Sequence, residues 1–230
     1  MESGSVGSGA EVANSEVNVS GGTVGSLFDA NSGSTVNISG GTVGSFDANS
    51  GSTVNISGGT VGSFDANSGS TVNISGGDVE FFFDANSGST VNISGGTFGN
   101  NIQALDGSTI NISGGTFGND LDIFSGSTVN LFGAEFFLNG SPIDASTLDE
   151  PFTIFDRGED VVLSGVFADG TLFDFDLNPN NSFFSSLDFF DSGSTLTITL
   201  VPVAVPEPGC GLTLATMSLV LLARRRRALR

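Results

Sequence analysis

The chain has 230 residues, 34 of them glycine, and a formal net charge of −19; it contains no His, Lys, Trp or Tyr, so Phe supplies every aromatic ring. Its basic residues are all arginines and, apart from Arg157, lie at the C-terminal end, which excludes a nucleic-acid binder, because that binding rests on Lys and Arg neutralising phosphates. Cys210 is alone, so no intramolecular disulfide forms.

Residues 1–14 are Gly/Ser-rich, with Glu2 and Glu11. They have neither the basic nor the apolar region of a secretory signal. They read as a disordered lead-in, with part of a repeat cut short by a misplaced start as the alternative.

From residue 15 a unit repeats. Copies of S-T-V-N-I-S-G-G begin at Ser34, Ser52, Ser70, Ser89, Ser108 and Ser127, 18 or 19 residues apart, with a degenerate copy at Ser15. A fixed period of this length marks a solenoid. In the copy at 34–51, Val36 and Ile38 alternate with Thr35, Asn37 and Ser39, which predicts a strand with one apolar and one polar face. Gly40-Gly41 breaks that strand at a corner. A short second strand follows at 42–44, and Phe46 and Ala48 share a face of a third segment. Asn49-Ser50-Gly51 turns the chain back.

Stacking the copies lines up four apolar columns. Their members include Val36, Val54 and Val72; Ile38, Ile56 and Ile74; Phe28, Phe46, Phe64 and Phe83; and Ala30, Ala48 and Ala66. Later copies substitute only apolar residues, as Ile102 and Leu121 do in the Phe column. The longer copies take their extra residue between the second strand and the Phe column, as in 78–83. A corner absorbs an insertion there, whereas a slip within a strand would turn it inside out.

One such coil cannot bury its own apolar face, but stacked coils can. Seven coils about 4.8 Å apart make a rod roughly 30–35 Å long. Two helices do not fit in the unit, and its Gly, Val, Ile, Thr and Asn favour strands. A left-handed solenoid needs an apolar residue every sixth position, and Thr42, Gly44 and Ser50 break that pattern. The reading is all-β: a right-handed parallel β-helix over 15–132. With its V-x-I-x-G-G coils this region resembles the haemagglutinin-like and autotransporter-like surface β-helices.

Residues 133–201 read as a strand-rich C-terminal cap, with a hairpin at Ala168-Asp169-Gly170. The open end of a β-helix needs covering. Phe152, Phe155, Phe167, Phe173 and Phe175 are expected to pack on the last coil, with Phe183, Phe184, Phe189 and Phe190 as further candidates. An independent sugar-binding sandwich is the alternative.

Residues 202–230 change character. Val205-Pro206-Glu207-Pro208 precedes an uncharged segment, 209–223, and the cluster Arg224, Arg225, Arg226 and Arg227. This order resembles the PEP-CTERM sorting signal. The resemblance implies export across the inner membrane of a bacterium that makes exopolysaccharide. It also implies recognition, and cleavage near the Pro-Glu-Pro, by an exosortase, a membrane-embedded sorting enzyme. The apolar run would form a short transmembrane helix of about 22 Å, less than the ~30 Å hydrocarbon core. The arginines would stay cytoplasmic and the solenoid would lie outside. A plain membrane anchor is the alternative. Members of that family carry an N-terminal signal peptide, so a start upstream of Met1 is expected.

The sequence offers no catalytic constellation, since no nucleophile has a recognisable base partner. The expectation is a non-enzymatic protein without a cofactor, with a polysaccharide-degrading enzyme as an alternative. Asp29, Asp47, Asp65 and Asp84 hold equivalent positions, so their carboxylates would stack, and Ca²⁺ would relieve the repulsion. Each also precedes a turn whose amides it can cap. The outward Thr/Asn column, including Thr35, Asn37, Thr53 and Asn55, makes a flat hydrogen-bonded polar face that solvates the sheet. Such a face can alternatively bind glycan or ice.

Overall fold

The computed structural model describes residues 1–99, 101–118, 121–143, 150–180 and 188–202. They form a parallel β-solenoid of the right-handed type, about seven coils long. Among the described residues there is no helix. The PEP-CTERM-like motif, the apolar run and the arginine cluster all lie outside them, as do Phe183 and Phe184.

Each copy of the repeat lays down one long and one short strand. Thr35–Val43, Thr53–Val61 and Thr71–Val79 are neighbours in a 13-stranded sheet, and Phe46–Ala48, Phe64–Ala66 and Phe83–Ala85 in an 8-stranded one. The register is the one the columns require: Val36 faces Val54, Ile38 faces Ile56 and Phe46 faces Phe64. Alternation points Val36, Ile38, Phe46 and Ala48 into a single core, where all are buried. The extra residues of 78–83 fall between Thr71–Val79 and Phe83–Ala85, outside both strands.

Gly40-Gly41 does not end the strand as the sequence suggests. The ladder shifts register around Ser39 and resumes at Thr42, so the corner is a bulge inside a nine-residue strand. Both glycines are required there. Gly41 has φ +83°, and a Cβ on Gly40 would come within 2.6 Å of the Ser20 carbonyl oxygen.

Two further departures concern the ends. The expected disordered lead-in is a partial rung: Ser5–Val6 pairs in parallel with Thr23 and Val24, and Glu11–Val12 with Asp29 and Ala30. The first full coil offers an unpaired edge with open backbone groups, and Gly/Ser-rich chain satisfies them without needing an apolar pattern of its own.

At the other end the rungs resume after an interruption. Thr128–Leu138 continues the sheet up to Leu131, then leaves the rung to pair antiparallel with Val162–Phe167, which forms a hairpin with Leu172–Asp176. Phe189–Phe190 and Thr195–Leu200 then return as one more parallel rung, on Asp122–Ile123 and on 128–133. The cap region is thus an insertion within the solenoid followed by one more rung, the last among the described residues.

Within the insertion, Phe167, Phe173 and Phe175 are buried. Phe167 and Phe175 meet Phe117 of the preceding coil edge-on, at 5.9 and 5.8 Å between ring centroids. Phe190 is also buried, while Phe189 meets Phe124 at 5.4 Å. Phe152 and Phe155 do not join this core; they are 49% and 84% exposed. Among the described residues, Phe152–Thr153 pairs only with Thr195–Leu200, and no further rung lies on it.

Candidate functional site

The solenoid carries three lengthwise arrays. The first is an amide ladder on the outer face of the large sheet. Asn37, Asn55, Asn73, Asn92, Asn111 and Asn130 each donate an Nδ2–H to the Oδ1 of the Asn one rung earlier, at 2.7–2.9 Å. Thr197 ends the array by donating to Asn130 Oδ1 at 2.6 Å. The hydrogen-bonded polar face expected from the sequence is present, with half-buried threonines beside it.

The second array runs along the turns. Asn49, Asn67 and Asn86 each donate to the preceding Asn at 3.1 Å. The Asn49 carbonyl accepts the Ser52 N–H across the turn, which explains why Asn-Ser-Gly recurs there.

The third is the acidic column on the small sheet. Asp29, Asp47, Asp65 and Asp84 stand in register, Glu11 extends them at one end, and Gln103 then Asp122 follow at the other. Burial raises the carboxyl of Asp47, helped by Asp65 and Asp29, and burial also raises that of Asp65. Asp84 is pushed up to about 6 by burial and by Asp65. Asp122 is buried and accepts a 2.7 Å hydrogen bond from Asn101, a partnered position that the repeat alignment leaves unmarked. Among the described residues no three acidic, His or Cys side chains are grouped to hold a metal ion. The four aspartates form a line, one per rung, whereas Ca²⁺ takes six to eight oxygens around one point.

Where the amide ladder meets the insertion, the face is interrupted. Asn92, Ser94, Asn111 and Ser113 line an open recess of about 530 Å³ together with Ile93, Phe132, Ala168 and Val201. Phe132 follows Leu131 as Ser113 follows Ile112, so an aromatic ring replaces the serine of the repeat. The hairpin turn that contributes Ala168 to the recess is clasped to the coil below. Asp169 accepts from the N–H groups of Gly115 and Thr171 and from the Thr171 hydroxyl, at 3.0, 2.8 and 2.6 Å.

Comparisons with family models, with curated proteins and with solved structures return no match.

Proposed function

We propose that this is an exported, non-enzymatic β-solenoid of the bacterial surface or exopolysaccharide matrix, with a structural or adhesive role, sorted through its C-terminal tail. The order of parts at the end of the chain carries this reading. Among the described residues, the last strand of the rod stops at Leu200. Val205-Pro206-Glu207-Pro208, an uncharged run and Arg224–Arg227 follow in that sequence. Proline opposes helix continuation and favours an extended chain, as a processing site ahead of a membrane anchor would need. The short apolar run suits a transient anchor, with the arginines on the cytoplasmic side. An exosortase-type enzyme is the sorting partner, and the membrane holds the precursor until it is processed.

A parallel stack with a continuous core suits a load-bearing rod. The non-enzymatic reading draws support from the carboxylates of the ladder, which lie one above another. Glycoside hydrolysis needs two of them facing across the scissile bond. The test is the intact mass and cellular location of the protein expressed from its own locus. An extracellular form ending near Pro208 is the expected result. An intracellular form that retains Arg230 would overturn the sorting reading.

A further inference from the structure

We propose that the recess beside Phe132 binds a neutral polysaccharide chain, a proposal that rests on the matrix reading above and specifies what the rod would hold. Three observations converge on it. The floor is hydroxyl and amide: Asn92, Asn111, Ser94 and Ser113. A carboxamide has two N–H donors and an oxygen with two lone pairs. In the ladder, Asn111 gives one N–H to Asn92 and receives one from Asn130, so a donor and a lone pair remain for a ligand.

The wall is apolar, formed by Phe132 and Val201. Mostly apolar walls with a few fixed polar groups are the usual composition of a small-molecule site. A sugar ring matches that composition, with a C–H face for the aromatic side chain and hydroxyls for the amides.

The lining carries no charge, although the molecule as a whole is at −19. Asp169, at the turn beside the wall, has its carboxylate engaged by Gly115 and Thr171. Nothing in the lining offers a counter-ion to uronic or sulfated sugars, and the acidic body repels them. The recess opens onto the amide ladder, so a linear chain seated against Phe132 can run on over further Asn and Ser rungs.

The test uses the full chain in detergent, titrated calorimetrically with a panel of linear neutral hexasaccharides and with an oligogalacturonate of equal length. At least one neutral oligosaccharide should bind and the anionic one should not. Phe132→Ser restores the residue of the repeat and should preserve the melting temperature while weakening binding about tenfold. Ser50→Ala, on the Asn turns and off the amide ladder the chain would follow, should bind as the parent does. Failure of every neutral oligosaccharide to bind, or equal affinity of the parent and Phe132→Ser, would overturn the proposal. The cellular location is read separately: a surface rod that binds no glycan loses only this inference, and an intracellular protein that binds glycan loses only the sorting reading.

Discussion

Phe83 and Phe98 stack with ring centroids 6.3 Å apart, although they belong to successive coils and to different sheets. The contact hands the aromatic stack across the core. In four coils the large ring is on the small sheet, opposite a valine: Val24 with Phe28, Val43 with Phe46, Val61 with Phe64 and Val79 with Phe83. In the next two the sizes are exchanged, giving Phe98 with Ile102 and Phe117 with Leu121. Each coil thus holds one ring and one aliphatic side chain, which keeps the core volume nearly constant.

This exchange predicts a non-additive pair. Phe98→Val should leave a cavity and cost roughly 2–4 kcal/mol. Ile102→Phe alone should overpack the coil and cost about 1–3 kcal/mol. Together they restore the arrangement of the earlier coils, so the double variant should melt well above the additive expectation. A double-mutant cycle from thermal melts reads the coupling. Strict additivity would mean that the two positions do not share volume.

The amide ladder makes a graded prediction. Asn73 donates to Asn55 at 2.9 Å and accepts from Asn92 at 2.8 Å. Asn73→Ala removes both bonds in a half-exposed setting and should cost about 1–2 kcal/mol. Asn73→Thr should cost less, since Thr197 already closes the ladder through its hydroxyl. Circular-dichroism melts order the three proteins, and an alanine variant as stable as the parent would show that the ladder only solvates the sheet.

The acidic column should make the rod more stable in mild acid than at neutral pH. The Asp84 carboxyl titrates at about 6 in the fold, above its ordinary value of 3.8, so the fold binds its proton more tightly than the unfolded chain does. That contribution is fully present below 3.8 and is lost as pH rises through about 6. Asp47 and Asp65 shift in the same direction. The melting temperature should therefore fall between pH 4 and pH 7. Asp84→Asn should flatten the curve and raise stability at pH 7 by ~1 kcal/mol, after allowance for solvent screening. Gln103, in the same column, shows that a neutral amide fits there. A melting temperature that rises through this window would contradict the assignment.

The clasp at Asp169 should decide whether the insertion stays docked. Asp169→Ala strands the half-buried N–H of Gly115 and unties Thr171, at a cost of about 1–3 kcal/mol. Hydrogen exchange should quicken at Gly115 and across Leu172–Asp176 while the early coils stay protected. Gly114→Ala should act similarly, because its Cβ would lie 2.2 Å from Asp169 Oδ2. Uniform exchange across the whole rod would instead make the insertion and the solenoid one cooperative unit.

The coils were legible because alternation and a fixed period specify register independently of each other. Val36, Val54 and Val72 can share a column only if the strands are parallel and in step. Residues 1–14 escaped because a strand that docks on an existing edge needs backbone groups more than a pattern. The last rung escaped because residues 134–187 separate it from its neighbours. Its signal was nevertheless present: Ser192-Gly193-Ser194-Thr195-Leu196-Thr197-Ile198-Thr199 has the spacing of Ser50-Gly51-Ser52-Thr53-Val54-Asn55-Ile56-Ser57. The exposure of Phe152 had no sequence signal, because composition cannot tell an edge strand from a covered one, and Phe155 lies just beyond that strand. The recess escaped for a related reason, since Phe132 gains meaning only when Val201, from far along the chain, lines the same recess.

The identity of two coils permits a deletion test of the whole architecture. Residues 34–51 and 52–69 are the same sequence, so removing 52–69 joins Gly51 to Ser70 through a junction the protein already contains. Every remaining rung keeps its register: Val36 would face Val72, and Asn37 would receive the Asn73 amide. In a stack of nearest-neighbour interactions, stability should drop by about one coil and one interface without loss of cooperativity. Small-angle scattering should show a rod shortened by about 4.8 Å, with the strand signature unchanged. Deleting Asn55 alone should be far more harmful. It would turn Ile56 outward and set a polar residue against Ile38 and Ile74, inverting one strand between two intact ones. If the single deletion were tolerated and the coil deletion unfolded the protein, register would not be what holds the solenoid together.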